Sequence, residues 1–417
     1  MNKLIIITRG FPFGRGEAFL ENEIIFLSKH FEDIYIFSQI SKSYSQYFSL
    51  DEQRKLPNNV KVFKLNSINK TAKANQIFKL FKSPILIKEI VKILYTRKSI
   101  QEKMRSAFDY YFLSISLYDQ IIKKIDFNLS NSLKENLFFY SYWNFFEPLT
   151  AYFLGRKFNG ISFSRAHRAD LYSNFQKNKY LPFSGFFIEN LDAVFTVSND
   201  GNFFLENKYG KSEKLQVSRL GTLRHKKPEF VFTKYLNIIS VGALYEIKRI
   251  DLIIKTLENI KNKKIVWHHF GDGPQKETIT ELAGNLLKNK VNYTFHGFKK
   301  NNEILNFMQQ GNFDFLINTS SSEGIPVSIM EAMSLGIPVI ATDVGGTGEI
   351  VNNKNGHLLP SNPTTVQISD AINLFCSLSE QEKKSKRDSA YNTWDEKFNA
   401  QKNYGVFVNQ ILELKKT

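Results

Sequence analysis

The segment Ser321-Ser-Glu-Gly-Ile-Pro-Val-Ser-Ile-Met-Glu331 follows a short apolar run and opens a helical pattern. Pro326 suits the first position of a helix because proline has no N–H to leave unpaired. Gly324 allows the backbone to approach a ligand closely. The free amides of Val327 and Ser328, together with the helix dipole, would form an anion site that fits a diphosphate. The segment therefore predicts a phosphate site where a parallel strand ends.

Two carboxylates accompany this helix start. Glu323 lies in the loop before the helix and Glu331 about a turn and a half inside it, at most on the order of 12 Å apart along the axis. Carboxylates accept hydrogen bonds from vicinal hydroxyls, so one could bind a transferred hexose and the other a ribose. The alternative interpretation is a helix-capping Glu323 and an exposed helical Glu331.

Strand and helix patterns alternate through the second half of the chain. The strand patterns cover 236–241, 265–270, 291–296, 313–318 and 338–342. The helical patterns cover 250–260, 276–287, 302–310 and 326–335. This alternation predicts a parallel sheet covered on both faces.

The first half repeats the theme less regularly. Strand patterns cover 4–8, 33–37, 60–63, 137–142, 161–164, 193–197 and 216–220, and long helical patterns cover 77–95 and 101–124. With 417 residues the chain is long enough for two domains. The predicted fold class is therefore α/β, with two Rossmann-like doubly wound domains that face each other across a cleft, where such folds bind ligands.

The domain boundaries follow from these patterns. A polar, proline-containing stretch, 222–234, is the predicted linker. Residues 1–221 form the expected N-terminal domain. Residues 235–417 form the expected C-terminal domain, and the last helix could pack back on the N-terminal domain.

Further glycine turns follow the predicted strands of the second half. The strand that ends at Gly242 leads into a turn that places Lys248 at a strand end, where an ammonium can neutralise charge on a leaving phosphate. Phe270-Gly-Asp-Gly-Pro274 and Val339-Ile-Ala-Thr-Asp-Val-Gly-Gly346 are two more such turns. Each of them alone could be plain turn chemistry.

In this order and with these gaps, the motifs of about residues 236–360 resemble the family-4 retaining glycosyltransferases. The resemblance implies a GT-B fold, in which residues 1–221 would bind an acceptor and residues 235–417 a nucleoside-diphosphate sugar donor. It places Lys248 on the diphosphate, Glu323 near the sugar hydroxyls and Glu331 on the ribose. The donor-binding residues expected in the second half are Gly242, Lys248, Gly324, Ile325, Pro326, Val327, Ser328 and Glu331.

One departure concerns the diphosphate. Family members often have a basic residue where Ala243 stands, so the second cation is unassigned and Arg249 is the substitute considered. No Asp-x-Asp motif occurs in the sequence, which fits a metal-independent donor site without a cofactor, the sugar nucleotide being a co-substrate.

In the first half, Gly14 and Gly16 permit a tight loop after the first strand, and a helix would begin near Glu17. Gly-x-Gly alone indicates only a loop, but its similarity to the N-terminal loop of the same family makes both glycines expected donor contacts. Glu17, Arg165 and Trp143 are the expected acceptor contacts. Trp143 could equally belong to the core.

His167 follows the predicted strand 161–164. An isolated histidine is more often structural, but the resemblance places a histidine here beside the transferred sugar. In the family's retaining course, Lys248 and the helix N-terminus would stabilise the departing diphosphate, whose oxygen could take the acceptor's proton. His167 and Glu323 would orient the sugar and stabilise its oxocarbenium-like charge.

The formal net charge is +16, from 56 Lys and Arg against 40 Asp and Glu. Residues 61–105 hold twelve basic residues and two acidic ones, Glu89 and Glu102, interleaved with apolar residues. Such a region could contact anionic lipid headgroups, or it could be a solvated face over an ordinary core. Nucleic acid is not expected as a partner because no recognised motif accompanies the charge.

A single cysteine, Cys376, excludes a disulfide framework and a cysteine-based metal site within one chain. The apolar runs are too short for a signal peptide or a membrane span. The expected location is therefore cytoplasmic, with the inner face of the membrane as a further option.

Taken with the resemblance, these features predict a hexosyltransferase. It would move a hexose or N-acetylhexosamine, from a UDP-sugar by preference, to a lipid-linked glycan of a bacterial surface polysaccharide. Two alternatives stay open. One is a nucleotide-sugar epimerase of the same fold, and the other is a non-catalytic partner subunit.

Overall fold

Two parallel β-sheets organise the chain, each within its own unit. The computed structural model describes residues 2–13, 16–39, 53–66, 83–129, 136–176, 178–261 and 263–414. The first unit comprises Met1–Ser218 and Tyr404–Thr417, and the second comprises Arg219–Asn403. Gly14 and residues 67–82 of the basic region lie outside the described residues.

The first unit has a sheet of seven parallel strands. They are β1 (Asn2–Thr8), β2 (Asp33–Gln39), β3 (Val60–Leu65), β4 (Asn136–Ser141), β5 (Ile161–Ala166), β6 (Ala193–Thr196) and β7 (Leu215–Val217). Their order across the sheet is β3-β2-β1-β4-β5-β6-β7. The helices are α1 (Ala18–Leu27), α2 (Pro84–Tyr95), α3 (Ile100–Leu129), α4 (Glu147–Phe158), α5 (Ser184–Asn190) and α6 (Asn199–Tyr209).

The central strand β1 is buried on both faces. Leu4 and Ile6 belong to one apolar cluster, and Ile5 and Ile7 belong to another. Successive side chains of a strand point to opposite faces, so a near-continuous apolar run fills two layers at once. The opening Leu-Ile-Ile-Ile run thereby specifies a central strand covered by helices.

The second unit repeats this architecture with six parallel strands. They are β8 (Tyr235–Val241), β9 (Lys264–Phe270), β10 (Asn292–Phe295), β11 (Phe315–Asn318), β12 (Val339–Thr342) and β13 (Gly356–Leu359), in the order β10-β9-β8-β11-β12-β13. The helices are α7 (Ile250–Asn259), α8 (Lys276–Leu287), α9 (Asn301–Gln310), α10 (Val327–Ser334), α11 (Thr347–Ile350), α12 (Thr365–Ser377), α13 (Glu380–Lys397) and α14 (Ala400–Glu413). Strand β13 is absent from the predicted strands because its sequence, Gly356-His-Leu-Leu359, contains only two apolar residues.

Each sheet has one point where the strand order reverses. In the first unit it lies between β1 and β4, and in the second between β8 and β11. The loops that follow two such strands diverge to opposite faces of the sheet and leave a crevice at the carboxyl ends, where doubly wound folds bind ligands. In the second unit, the loop after β8 and the loop after β11 therefore lie on either side of this crevice.

The unit boundaries differ from the predicted domains at the linker, and they agree with the expected option that the last helix packs on the N-terminal domain. The predicted linker 222–234 belongs to the second unit. The Val231 amide donates to Asn312 Oδ1 at 3.0 Å, and Gln309 Nε2 donates to the Lys226 carbonyl at 2.9 Å. These hydrogen bonds attach the stretch to α9 and the residues that follow it, so it does not act as a free linker.

The second boundary falls inside α14, before Tyr404. The side chains of Phe407, Val408 and Ile411 are fully buried in the apolar cluster of the first unit that contains Leu4. The end of the chain is therefore part of the first unit's core. Among the described residues, no helix is both long enough and apolar enough to cross a bilayer.

Candidate functional site

In the second unit, Lys248 and Glu323 meet where the strand order reverses. Lys248 ends a short 3-10 turn, Glu246–Lys248, after β8, and Glu323 lies in the loop after β11. Lys248 Nζ is 2.5 Å from Glu323 Oε1, and the Ser320 hydroxyl donates to the same oxygen at 2.6 Å. The Glu323 side chain is 9% exposed and that of Lys248 24%. A cation and a carboxylate thus stand together at the carboxyl edge of the sheet.

Glycine is required where the neighbouring loops approach each other. Gly345 has φ +53°, and a Cβ there would lie 2.0 Å from the Glu323 carbonyl oxygen. The Gly346 amide donates to the Gly324 carbonyl at 2.7 Å. The loop after β12 therefore packs directly on the loop that carries Glu323, which only a residue without a side chain permits.

The start of α10 presents unused amide donors. Pro326 is the residue just before the helix, with φ −66° and ψ 127°, one position earlier than the sequence pattern predicts. In the described part of the chain, the amides of Val327 and Ser328 donate to no acceptor. Ile325 is buried, so its contribution to a ligand would come from its backbone. Free amides at a helix start, together with the helix dipole, are suited to binding an anion.

Glu331 lies inside α10 and is buried, with 5% of its surface exposed. The alternative interpretation of Glu331 as an exposed helical residue is therefore wrong. Asn301 Nδ2 donates to Glu331 Oε1 at 2.5 Å. Burial raises the pKa of Glu331 to about 7, and the hydrogen bond from Asn301 opposes this shift. The site holds a carboxyl group that titrates near neutral pH.

Asn301 is a residue of this site that the sequence analysis missed. It is the first residue of α9 and follows Lys300 at the helix start. A single asparagine in a polar Lys-Lys-Asn-Asn run carries no distinguishing signal. Only the folded chain shows that its amide reaches Glu331, 30 residues away.

The Arg249 guanidinium is occupied by three backbone carbonyls and one side-chain oxygen of the protein. Its guanidinium donates to the carbonyls of Thr319 and Ser320 at 2.6 and 2.9 Å. It also donates to the Ser361 carbonyl and to Asn362 Oδ1, both at 2.9 Å. Arg249 therefore joins the loop after β11 to the loop after β13. It does not replace the basic residue expected at the position of Ala243.

In the first unit, the Glu17 carboxylate organises the loop after β1. It accepts hydrogen bonds from the amides of Arg9, Gly10 and Phe11 at 2.9, 2.8 and 2.6 Å. The indole Nε1 of Trp143 donates to the same carboxylate at 2.7 Å. Glu17 is buried, so its hydrogen-bonding capacity is taken up by the protein. Glu17 therefore anchors this loop and holds the Trp143 ring in place. These hydrogen bonds do not support its predicted role as an acceptor contact.

Arg165 is wrongly predicted as an acceptor contact. Its side chain is fully buried, forms an ion pair with Glu23 and donates to the Ser218 hydroxyl at 3.1 Å. The guanidinium carbon lies 3.9 Å from the centroid of the Phe407 ring. Arg165 lies one residue before the end of β5, and the alternation of the strand turns its side chain into the core.

His167 directly follows β5, as predicted. Its ring lies 4.8 Å from the Trp143 ring and 5.0 Å from the Tyr142 ring, centroid to centroid. The Asp170 carboxylate accepts the His167 backbone amide at 2.6 Å, and its Oδ2 lies 3.7 Å from His167 Nδ1. Neither ring nitrogen has a hydrogen-bond partner among the described residues, although both are buried. Such unsatisfied nitrogens favour a ligand-facing role over a structural one.

An open cavity of about 480 Å³ lies in the first unit, between the loop after β5 and helix α6. It is lined by Tyr172, Ser173, Asn174, Asp200, Phe203, Phe204, Asn207 and Lys208. Phe203 is 62% exposed. Aromatic rings combined with amide and carboxylate groups are suited to binding a sugar.

The remaining predicted site residues are less informative. Gly242 follows β8, and a Cβ there would be 3.6 Å from the Lys248 side chain. Gly16 directly precedes the anchored Glu17, and its role as a donor contact stays a prediction.

In the described part of the chain, no cluster of three or more His, Cys, Asp or Glu side chains could hold a metal ion. Metal independence likewise stays a prediction.

Comparisons with known proteins agree with the predicted fold. Residues 223–392 match the family model of glycosyl transferases group 1. WcaL of Escherichia coli (strain K12), whose name assigns it to colanic acid biosynthesis, is 29% identical over 47% of this chain and 50% of its own length. TuaC of Bacillus subtilis (strain 168), named for teichuronic acid biosynthesis, is 30% identical over 43% of this chain and 42% of its own. The match thus spans about half the length of these curated relatives.

A structural comparison covers nearly the whole chain. Anabaena Alr3699/HepE, crystallised in complex with UDP, aligns with a TM-score of 0.65 at 14% identity, over 99% of this chain and 100% of that one. An identity this low is evidence for the fold alone. The fold is GT-B, as the sequence predicts.

Proposed function

We propose that this chain, whose residues 223–392 match the family model of glycosyl transferases group 1, transfers a hexose or N-acetylhexosamine from a nucleoside-diphosphate sugar to a glycan. The observation that carries this proposal is the meeting of Lys248 and Glu323 beside the open amides of α10. A cation and helix amides suit a diphosphate, and a carboxylate suits sugar hydroxyls.

The donor would occupy the carboxyl edge of the second sheet. The diphosphate would accept hydrogen bonds from the amides of Val327 and Ser328 and from the Lys248 ammonium, which carries three donors. Glu323 would accept hydrogen bonds from the hydroxyls of the transferred sugar, and Glu331 would accept hydrogen bonds from the hydroxyls of the ribose. The burial of Glu331 supports this role, since a buried carboxylate needs donors beyond Asn301.

We assign the reaction to the retaining course. The bond between the anomeric carbon and the diphosphate oxygen breaks, and Lys248 and the helix start stabilise the negative charge that develops on the leaving group. An oxygen of that diphosphate takes the acceptor's proton while the acceptor oxygen bonds to the anomeric carbon on the same face. His167 and Glu323 orient the sugar and stabilise its oxocarbenium-like charge. No metal is required in this scheme.

A UDP-sugar is the preferred donor in this proposal, because the similar GT-B protein HepE was crystallised with UDP. The names of WcaL and TuaC, two bacterial polysaccharide glycosyltransferases, favour a surface-polysaccharide glycan as acceptor. We propose a lipid-linked acceptor and a cytoplasmic enzyme that works at the inner face of the membrane.

We propose that the acceptor sugar binds in the cavity beside α6. The exposed ring of Phe203 offers a stacking face, and the polar groups of Asp200 and Asn207 can bond to hydroxyls. Phe203→Ala would raise the KM for the acceptor at least about tenfold with an unchanged KM for the donor. Val406→Ala, at an exposed apolar residue on α14, is the matched control.

Binding of the donor is tested first, by thermal shift with UDP, GDP and ADP. UDP should stabilise the protein most, and Glu331→Ala should abolish the shift. Glu281→Ala changes an exposed glutamate of α8 and should leave the shift intact. A wild-type protein that none of the three nucleotides stabilises would contradict the donor site.

Transfer is tested next, by UDP release from UDP-glucose, UDP-galactose and UDP-N-acetylglucosamine with alkyl glycosides as acceptors. Release that depends on the acceptor supports a transferase, and release that persists after EDTA treatment supports a metal-independent one. Conversion of a UDP-sugar into its epimer without any acceptor would identify an epimerase instead. Nucleotide binding with neither reaction would favour the non-catalytic subunit.

A further inference from the structure

Helix α2 of the first unit exposes an apolar stripe to solvent. Ile87, Val91, Leu94 and Tyr95 are 46, 45, 52 and 82% exposed. At about 100° per residue, these four side chains fall within roughly 100° of one another around the helix axis. A contiguous exposed apolar surface of this kind marks an interaction site more often than isolated apolar residues do.

The opposite face of α2 is fully engaged with the first unit. Leu86 and Ile93 are completely buried. The Glu89 carboxylate turns inward, where it accepts the Tyr180 hydroxyl and, at 2.7 Å, the Phe183 amide. The helix is therefore held in this orientation by its inner face, and the outer stripe is a stable feature of the surface.

Cations accompany the stripe without exposed acids. Lys88 and Lys92 lie along one flank of it, and Arg97 and Lys98 follow at the end of the helix, all four exposed. The single carboxylate within 84–98 is the inward-facing Glu89. The outer face thus combines an apolar stripe with four positive charges.

We propose that this stripe of α2 docks on an anionic lipid bilayer. Its apolar side chains would enter the boundary between headgroups and acyl chains, and the four cations would contact lipid phosphates. A second copy of the chain is a poorer occupant, because two such faces would bring like charges together. The contact goes beyond the proposed reaction and would bring the enzyme to a lipid-linked acceptor.

Co-sedimentation with vesicles tests this proposal. The full chain should bind vesicles of phosphatidylcholine with one third phosphatidylglycerol, and bind pure phosphatidylcholine much more weakly. Lys88→Gln/Lys92→Gln should weaken binding roughly 25-fold, at about fivefold for each lysine near the surface. Ile87→Ser/Leu94→Ser should weaken it at least about tenfold, because the inserted apolar area is lost.

The matched control is Val366→Ser/Leu374→Ser on α12, where two apolar side chains are 65 and 55% exposed. It should bind like the wild type. All variants should keep the UDP-induced thermal shift, which separates a failed membrane contact from a failed donor site or a folding defect. Equal binding by the α2 variants and the wild type would overturn the proposal. The proposal would also be overturned if the wild-type protein did not bind anionic vesicles, or if it dimerised through α2.

Discussion

Lys248 Nζ lies 2.5 Å from Glu323 Oε1, although 75 residues separate them in the chain. The two side chains belong to the loops after β8 and β11, which are neighbours at the reversal point of the second sheet. The ion pair leaves the Lys248 ammonium with further donors. One residue can therefore hold Glu323 in place and bind a phosphate oxygen.

Replacement of Lys248 tests the charge at the donor site. Lys248→Met should lower kcat by about 10²- to 10³-fold, because stabilisation of the leaving diphosphate is lost. The initial-rate assay of UDP release measures this, and thermal shift with UDP measures the accompanying loss of affinity. Lys255→Met on α7, at an exposed lysine paired with Asp251, is the control. A variant with unchanged kcat would remove Lys248 from the chemistry.

Glu331 should make stability depend on pH. Its pKa is about 7 in the folded protein and 4.5 for an ordinary glutamate, so the folded state binds more protons between these values. Stability should then fall as the pH rises through this range. Glu331→Gln removes the effect, and should be more stable than the wild type by roughly 3 kcal/mol at pH 8 but about equally stable at pH 4.5.

Urea denaturation at the two pH values measures this difference. Asn301→Ala should raise the pKa of Glu331 further, because the hydrogen bond that lowers it is lost. The pH at which the wild type loses stability would then move upward in that variant. If the free energies of unfolding of the wild type and of Glu331→Gln differed by the same amount at both pH values, Glu331 would not titrate between them.

His167 should matter for turnover and not for donor affinity. His167→Ala should lower kcat roughly 10²-fold, because the ring no longer orients the sugar and stabilises its charge. The UDP-induced thermal shift should stay the same, since His167 belongs to the first unit and the residues of the proposed nucleotide site to the second. His30→Ala, at an exposed histidine after α1, is the control. A loss of nucleotide binding in His167→Ala would point to a structural role.

Glu17 should prove to be a structural residue. Glu17→Ala leaves three backbone amides and one indole without their acceptor, which costs about 2–4 kcal/mol of unfolding free energy. Urea denaturation would detect this. Glu21→Ala on α1, where the side chain is 52% exposed, should change stability by less than about 1 kcal/mol. If the two variants were equally stable, Glu17 would not be a structural residue, and its predicted role as an acceptor contact would stand.

The Arg165–Glu23 pair should behave as a buried ion pair. Arg165→Met leaves Glu23 buried without its cation and should cost about 3–5 kcal/mol. The double variant Glu23→Gln/Arg165→Met should recover part of this loss, because no buried charge is left unpaired. Denaturation of the double variant and of both single variants, Arg165→Met and Glu23→Gln, measures the coupling. An additive loss in the double variant would show that the charges do not interact.

The regular elements follow closely from the sequence. Helix α8 begins and ends at the predicted residues, and β9 differs from its predicted range by one residue at its start. Long apolar runs and amphipathic periodicity carry these elements, because they are local properties of the chain. Strand β13 was not predicted, because it contains only two apolar residues. The sequence raised the packing of the last helix on the first domain only as an option, since packing partners are not local properties.

The two doubly wound sheets and the motifs of the candidate donor site were predictable from the sequence alone, because strand and helix patterns and glycine turns are properties of neighbouring residues. Which side chains meet depends on the fold. It joined Lys248 to Glu323 and Asn301 to Glu331, turned Arg165 into the core and committed Arg249 to four oxygen acceptors. The reason is physical: strand order and burial set these distances, and both depend on residues far apart in the chain.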